Sequence, residues 1–132
     1  VQDINYSYSS IAIAARKKGS LKEFRNKMHV SNIPYTDKDL LNSNNEGVRL
    51  ASFHNMKGLE FKHVFLVDVN NSTLPLITRD FNSKSEIDQQ LHLRGEKSLF
   101  YVACSRAMYT VSISGIGEGS EIIPKEEELV RR

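Results

Sequence analysis

Three short stretches of this chain carry residue types that could hold a polyphosphate. Arg106 closes a run in which Leu99, Val102 and Ala103 recur at helical spacing, and it lies seven residues after Leu99. Helical geometry puts its guanidinium beside that apolar stripe rather than opposite it. A planar guanidinium there can bind two phosphate oxygens at once, although an arginine snorkelling at a helix end is the plainer reading. Lys57-Gly58-Leu59-Glu60-Phe61 follows a predicted strand, and the carboxyl ends of parallel strands are where ligands bind in open sheets. Gly58 permits a tight backbone path there, and Glu60 could accept a hydrogen bond from a hydroxyl. Arg16 ends a second apolar run. Two arginines and a carboxylate converging on one edge of a sheet would suit a polyphosphate. No G-x-x-x-x-G-K-[ST] loop occurs in the sequence, so the chain would supply only part of a nucleotide site. His29, His63 and His92 have no partner at metal spacing, and no metal site is expected. Cys104, the single cysteine, reads as an inert core thiol and excludes an internal disulfide.

The elements that must position these residues are legible in outline. Ile11-Ala12-Ile13-Ala14-Ala15 reads as a buried strand. Ser20 can cap a helix carrying Leu21, Phe24 and Met28, with Glu23 placed as in a capping box. Ile33-Pro34-Tyr35 is extended, and Pro34 argues for an edge or a strand start. Asn42 to Gly47 reads as a turn-rich loop. Val48 to Phe53 and His63 to Val69 look like strands, the second buried on both faces. Ser83 to Met108 is helical in composition with an interruption at Arg94-Gly95, and Tyr109 to Ser114 is β-rich. Strands alternating with helices predict an α/β layered domain with a mainly parallel sheet.

Composition excludes several classes. A chain of 132 residues with 39% hydrophobic residues fits one domain with a real core. The net charge is +2, with ten basic and six acidic side chains in residues 1–66 and eight and ten in residues 67–132. That balance gives no strong pull toward nucleic acid or membrane, although the basic first half is compatible with a phosphate-facing surface. No apolar run approaches the roughly 18–20 residues of a membrane helix and no signal peptide opens the chain, so a soluble, cytoplasmic protein is expected.

Two segments then carry a specific resemblance. Val48 to Leu66, VRLASFHNMKGLEFKHVFL, resembles motif V of the UvrD/Rep-type superfamily 1 helicases, T-x-H-x-x-K-G-L-E-F-x-x-V-F. Glu96 to Ala107, EKSLFYVACSRA, resembles their motif VI, E-x-R-x-L-x-Y-V-A-x-T-R-A. Ile11 to Arg16 is similar to motif IV, and Ile33-Pro34-Tyr35 matches the I-P-Y that follows it. The resemblance implies a RecA-like three-layer domain, the second motor domain of an ATP-dependent DNA helicase, spanning residues 1–120 with a tail at 121–132. It implies that the first motor domain, absent from this chain, holds most of ATP and its Mg2+. Arg106 then matches the arginine finger on the γ-phosphate and Arg16 a second arginine reaching it. Glu60 matches a residue near ribose and phosphates, while Lys57 and Gly58 shape the turn between two sites. Ser52 and His54, with Lys57 beside them, match positions facing single-stranded DNA. The implied partners are single-stranded DNA and the first motor domain, with no membrane.

The departures are equally specific. Ala15 stands where family members carry an aromatic that can stack on adenine, unless Tyr6 or Tyr8 takes that place. Ser52 and Ser105 replace threonines, and Lys97-Ser98 replaces Arg-Arg. Only Thr36 to Gly47 separates I-P-Y from motif V, where close relatives insert a large accessory domain, so a short turn is expected there. The competing reading is a nucleotide-sensing domain of a helicase-like ATPase that remodels a protein complex such as RNA polymerase.

Overall fold

The computed structural model describes residues 7–37, 47–115 and 120. The expected turn at Asn42 to Gly47, apart from Gly47 itself, and the tail at 121–132 lie outside the described residues, as does Tyr6. Five strands form one sheet: β1 (Ile11–Ala15), β2 (Tyr35–Thr36), β3 (Val48–Ser52), β4 (Phe61–Leu66) and β5 (Ala107–Ile113). Their order is β2-β3-β1-β4-β5 and every neighbouring pair is parallel. Two α-helices, α1 (Lys22–Val30) and α2 (Glu86–Cys104), and four short 3-10 turns complete the described elements. This is an α/β fold of the RecA-like kind.

Alternation along the strands divides the core into two layers. Ile13, Ala15, Val48 and Leu50 face one side, where Leu21 and the half-buried Phe24 and Met28 of α1 cover them. Ala12, Ala14, Ala51, Val64 and Leu66 face the other, packed with Phe53, Met56 and Phe61 against Phe100 and Ala103 of α2. The central strand is rich in alanine, so helices on both sides can approach it closely. Pro34 precedes β2, an edge strand, as its missing N–H donor requires. Gly47 leads into β3 so close to β2 that a Cβ there would come within 2.6–2.7 Å of the Pro34 and Tyr35 backbone.

Four local expectations are corrected. Ser20 does not cap α1: its hydroxyl donates to Asp68 beyond β4, and a 3-10 turn at Lys18–Leu21 leads into the helix instead. The second predicted strand begins at Phe61 rather than His63 and is not buried on both faces, since Phe65 remains 39% exposed. Helix α2 runs unbroken through Arg94-Gly95, with Ser85 as its N-cap accepting the Asp88 N–H at 3.1 Å. Its buried stripe is Glu96, Phe100 and Ala103, rotated from the predicted Leu99, Val102 and Ala103.

Candidate functional site

Parallel strands give the sheet a distinct amino end and carboxyl end, and the candidate residues divide between them. At the amino end Phe61 of β4 pairs in register with Ala107 of β5. Glu60 and Arg106 are the residues immediately before that pair, and the Phe61 N–H donates to the Arg106 carbonyl at 2.9 Å. Arg106 therefore lies in the turn where α2 passes into β5, one residue beyond the helix cap Ser105. Its Nε and Nη2 both donate to Ser105 Oγ, at 3.3 and 3.0 Å, and that hydroxyl in turn donates to the Val102 carbonyl at 2.7 Å. Serine in place of threonine keeps the hydroxyl that steadies the arginine. Among the described residues no carboxylate forms an ion pair with Arg106, so a half-buried guanidinium remains available to an anion. Glu60 is exposed beside it.

The carboxyl end holds the second group. Ala15 pairs with Ser52, which places Arg16 beside the start of the 3-10 turn Phe53–Met56. Ser52 is 8% exposed, whereas His54 and Lys57 are exposed. Gly58 adopts φ +79, a left-handed conformation that favours glycine. It turns the chain back toward Glu60 and the amino end. The segment from Ser52 to Glu60 thus connects the two ends of the sheet.

The expected convergence of Arg16, Glu60 and Arg106 on one edge does not hold. Arg16 follows the carboxyl end of β1, and Glu60 and Arg106 precede the amino ends of β4 and β5. The Arg16 guanidinium is also engaged: its Nε and Nη2 donate to Glu96 Oε1 and Oε2 at 2.9 and 2.8 Å. Glu96, 5% exposed, also accepts the Leu76 N–H at 2.7 Å. Burial pushes the Glu96 carboxyl up. The Arg16 and Leu76 hydrogen bonds and the Arg16 and His92 charges outweigh it, leaving the carboxyl below its ordinary value. Sequence reasoning missed this pair, because 80 residues separate its members and Glu96 was seen only as the first letter of a motif.

Arg49 was also missed, having been read only as one position of an alternating strand. Its guanidinium carbon lies 5.9 Å from the centre of the Phe61 ring, and burial pushes its pKa below the usual arginine value. Ala15 is fully buried within the sheet. Cys104 fits the inert-thiol expectation, since burial pushes its pKa up to about 11.

Comparison with known proteins places this arrangement in a family. The UvrD-like helicase C-terminal domain model matches residues 18–117, and the chain belongs to that family. It is 32% identical over 97 residues to the "Probable DNA helicase II homolog" of Mycoplasma genitalium, covering 74% of this chain and 12% of that protein. It is 37% identical over 78 residues to the "ATP-dependent DNA helicase Rep" of Buchnera aphidicola, covering 54% of this chain and 12% of that one. The chain therefore spans a small part of the curated relatives it matches. Among solved structures, the C-terminal domain of a "possible DNA helicase" from Lactobacillus plantarum superposes with a TM-score of 0.57 at 22% identity. That alignment covers 86% of this chain and 60% of the other, a likeness of fold. The family match begins at residue 18, leaving Ile11 to Arg16 outside it. Among the described residues no helix is long and apolar enough to cross a membrane.

Proposed function

We propose that this chain is the second motor domain of an ATP-dependent DNA helicase or translocase, acting with a first motor domain that carries the phosphate-binding loop. The observation that carries the reading is the pairing of Arg106 with Glu60 at the amino end of β5 and β4, joined by the Phe61–Arg106 backbone hydrogen bond. A guanidinium without a carboxylate partner can stabilise charge developing on a transferred phosphoryl group. Glu60, exposed next to it, can accept a hydrogen bond from a ribose hydroxyl, and Gly58 gives the turn its path. The donor set suits the phosphates and sugar of ATP, and the Mg2+ of that substrate belongs to the first motor domain in this reading.

Single-stranded DNA is assigned to the opposite end, on Ser52, His54 and Lys57. Their separation from Arg106 by the length of the sheet lets one segment, Ser52 to Glu60, touch both ligands, which is what coupling of hydrolysis to stepping requires. Arg16 is not carried into the nucleotide site, because its guanidinium is bound to Glu96 at the DNA end.

The test is Arg106→Ala in the full-length protein. Loss of an arginine finger should lower kcat on the order of 10³-fold, with a smaller change in nucleotide affinity. A variant retaining more than half of its DNA-stimulated hydrolysis would remove Arg106 from the role.

A further inference from the structure

Among the described residues, the buried side-chain nitrogens and oxygens left without a hydrogen bond are Nε and Nη1 of Arg49. Buried donors are nearly always satisfied, so an exception calls for an explanation. Its place in the fold supplies one. Arg49 is the second residue of β3, paired with Ala12 of the central strand near the amino end of the sheet. Val48 and Leu50 face α1, so alternation puts Arg49 on the α2 side, against the Phe61 ring. Phe61 is also the residue whose N–H binds the Arg106 carbonyl, and Glu60 precedes it. Phe61 thus lies next to the orphaned guanidinium through its ring and is bonded to Arg106 through its backbone.

We propose that Arg49 is a second cationic ligand of the anion site at the amino end of the sheet, acting with Arg106 on the triphosphate chain of a nucleotide. The proposal rests on the reading of Arg106 as a phosphate ligand. Packing alone does not call for an arginine at this position. The rest of β3 is mostly apolar, and an uncharged side chain of the same length would cover Phe61 without burying an unsatisfied charge. The guanidinium carbon lies 5.9 Å from the ring centre, a cation–aromatic arrangement that arginine tolerates and that leaves its donor rim for an oxyanion. Nη2 is not among the orphaned buried atoms, and it is the nitrogen through which contact would begin. Two arginines, on β3 and before β5, would then grip a chain of several negative charges that neither could hold alone.

The experiment uses the 132-residue chain and inorganic tripolyphosphate, followed by calorimetric titration and thermal melting, with sulfate at matched ionic strength as control. Arg49→Met keeps the stem and removes the charge. It should raise the Tm of the unliganded chain and weaken tripolyphosphate binding at least fivefold, while Arg49→Lys holds affinity within about threefold of the unmodified chain. Arg106→Gln should weaken binding at least as much. If Arg49→Met binds tripolyphosphate within twofold of the unmodified chain while Arg106→Gln loses it, the Arg49 role is overturned and the Arg106 reading stands. If neither variant differs from the unmodified chain, or the unmodified chain prefers tripolyphosphate no more than sulfate, both fall. A lowered Tm with unchanged affinity would mark Arg49 as a packing residue and also overturn the proposal.

Discussion

The buried Arg16–Glu96 pair ties an arginine of apparent catalytic type to a carboxylate within the fold. The Arg16 side chain is 13% exposed and that of Glu96 6%, and two parallel hydrogen bonds join them. Removing one partner of such a pair strands a charge and costs about 3–5 kcal/mol, whereas replacing both with apolar residues is often neutral. Glu96→Gln should therefore lower the unfolding free energy by about that amount, and Arg16→Met with Glu96→Leu should recover most of it, as read by urea denaturation. The pair also sets an acid limit. Because the folded pKa of Glu96 lies below its ordinary 4.5, its contribution is complete above that value and disappears as pH falls through the lowered one. Denaturation midpoints compared between pH 7 and pH 3 should show a loss that Arg16→Met/Glu96→Leu lacks. From sequence, Arg16 and Arg106 look alike, each ending an apolar run. The carboxylate reaching across from α2 and the opposite ends of the sheet on which they sit set them apart.

At the scale of elements, the strands were more legible than the helix registers. Ile11 to Ala15, Val48 to Phe53 and Tyr109 to Ser114 announce themselves by apolar content, alternation or β-rich composition, and the strands formed there are Ile11–Ala15, Val48–Ser52 and Ala107–Ile113. Helix α2 was misread at Gly95 because propensity there favours a break. Packing of Glu96, Phe100 and Ala103 carries the helix through it. The glycine has no spatial reason to be there: a Cβ would meet nothing within 4 Å. Gly95→Ala should raise stability by about 0.5–1 kcal/mol and increase Tm by a few degrees in calorimetry. Gly58 is different in kind, because its left-handed φ makes any side chain strained even though space is open around it. The start of β4 was missed by two residues, since Lys62 interrupts the apolar run that suggested it. The two-ended arrangement of the candidate site was legible in part. The resemblance sets Ser52 and His54 apart from Glu60 and Arg106, with Lys57 and Gly58 in the turn between, but the residue types alone group Arg16 with Glu60 and Arg106. Motif spacing gives no information about which end of a parallel strand a loop returns to.

As a whole, the molecule is a partial machine in chemical terms. Its 132 residues contain no G-x-x-x-x-G-K-[ST] phosphate-binding loop, so the role proposed for Arg106 needs a partner domain that carries one. Purified chain freed of contaminating nucleotidases should therefore show no steady-state ATP hydrolysis above background, and turnover that persists through purification would overturn the division of labour between two motor domains. The strand order carries one more consequence, for the making of the protein. The central strand is the first of the sheet in the chain, and Ala12 finds its two neighbours, Arg49 and Val64, only 37 and 52 residues later. Such distant pairings make folding slow relative to helical proteins of equal size. During synthesis the Ile11–Ala15 strand emerges with both edges open; β3 can cover one of them, and the other stays open until β4 has left the ribosome. An apolar strand with a bare edge is a template for pairing with another chain. The interval before β4 arrives is therefore when the newborn chain is most exposed to aggregation and has most use for a chaperone.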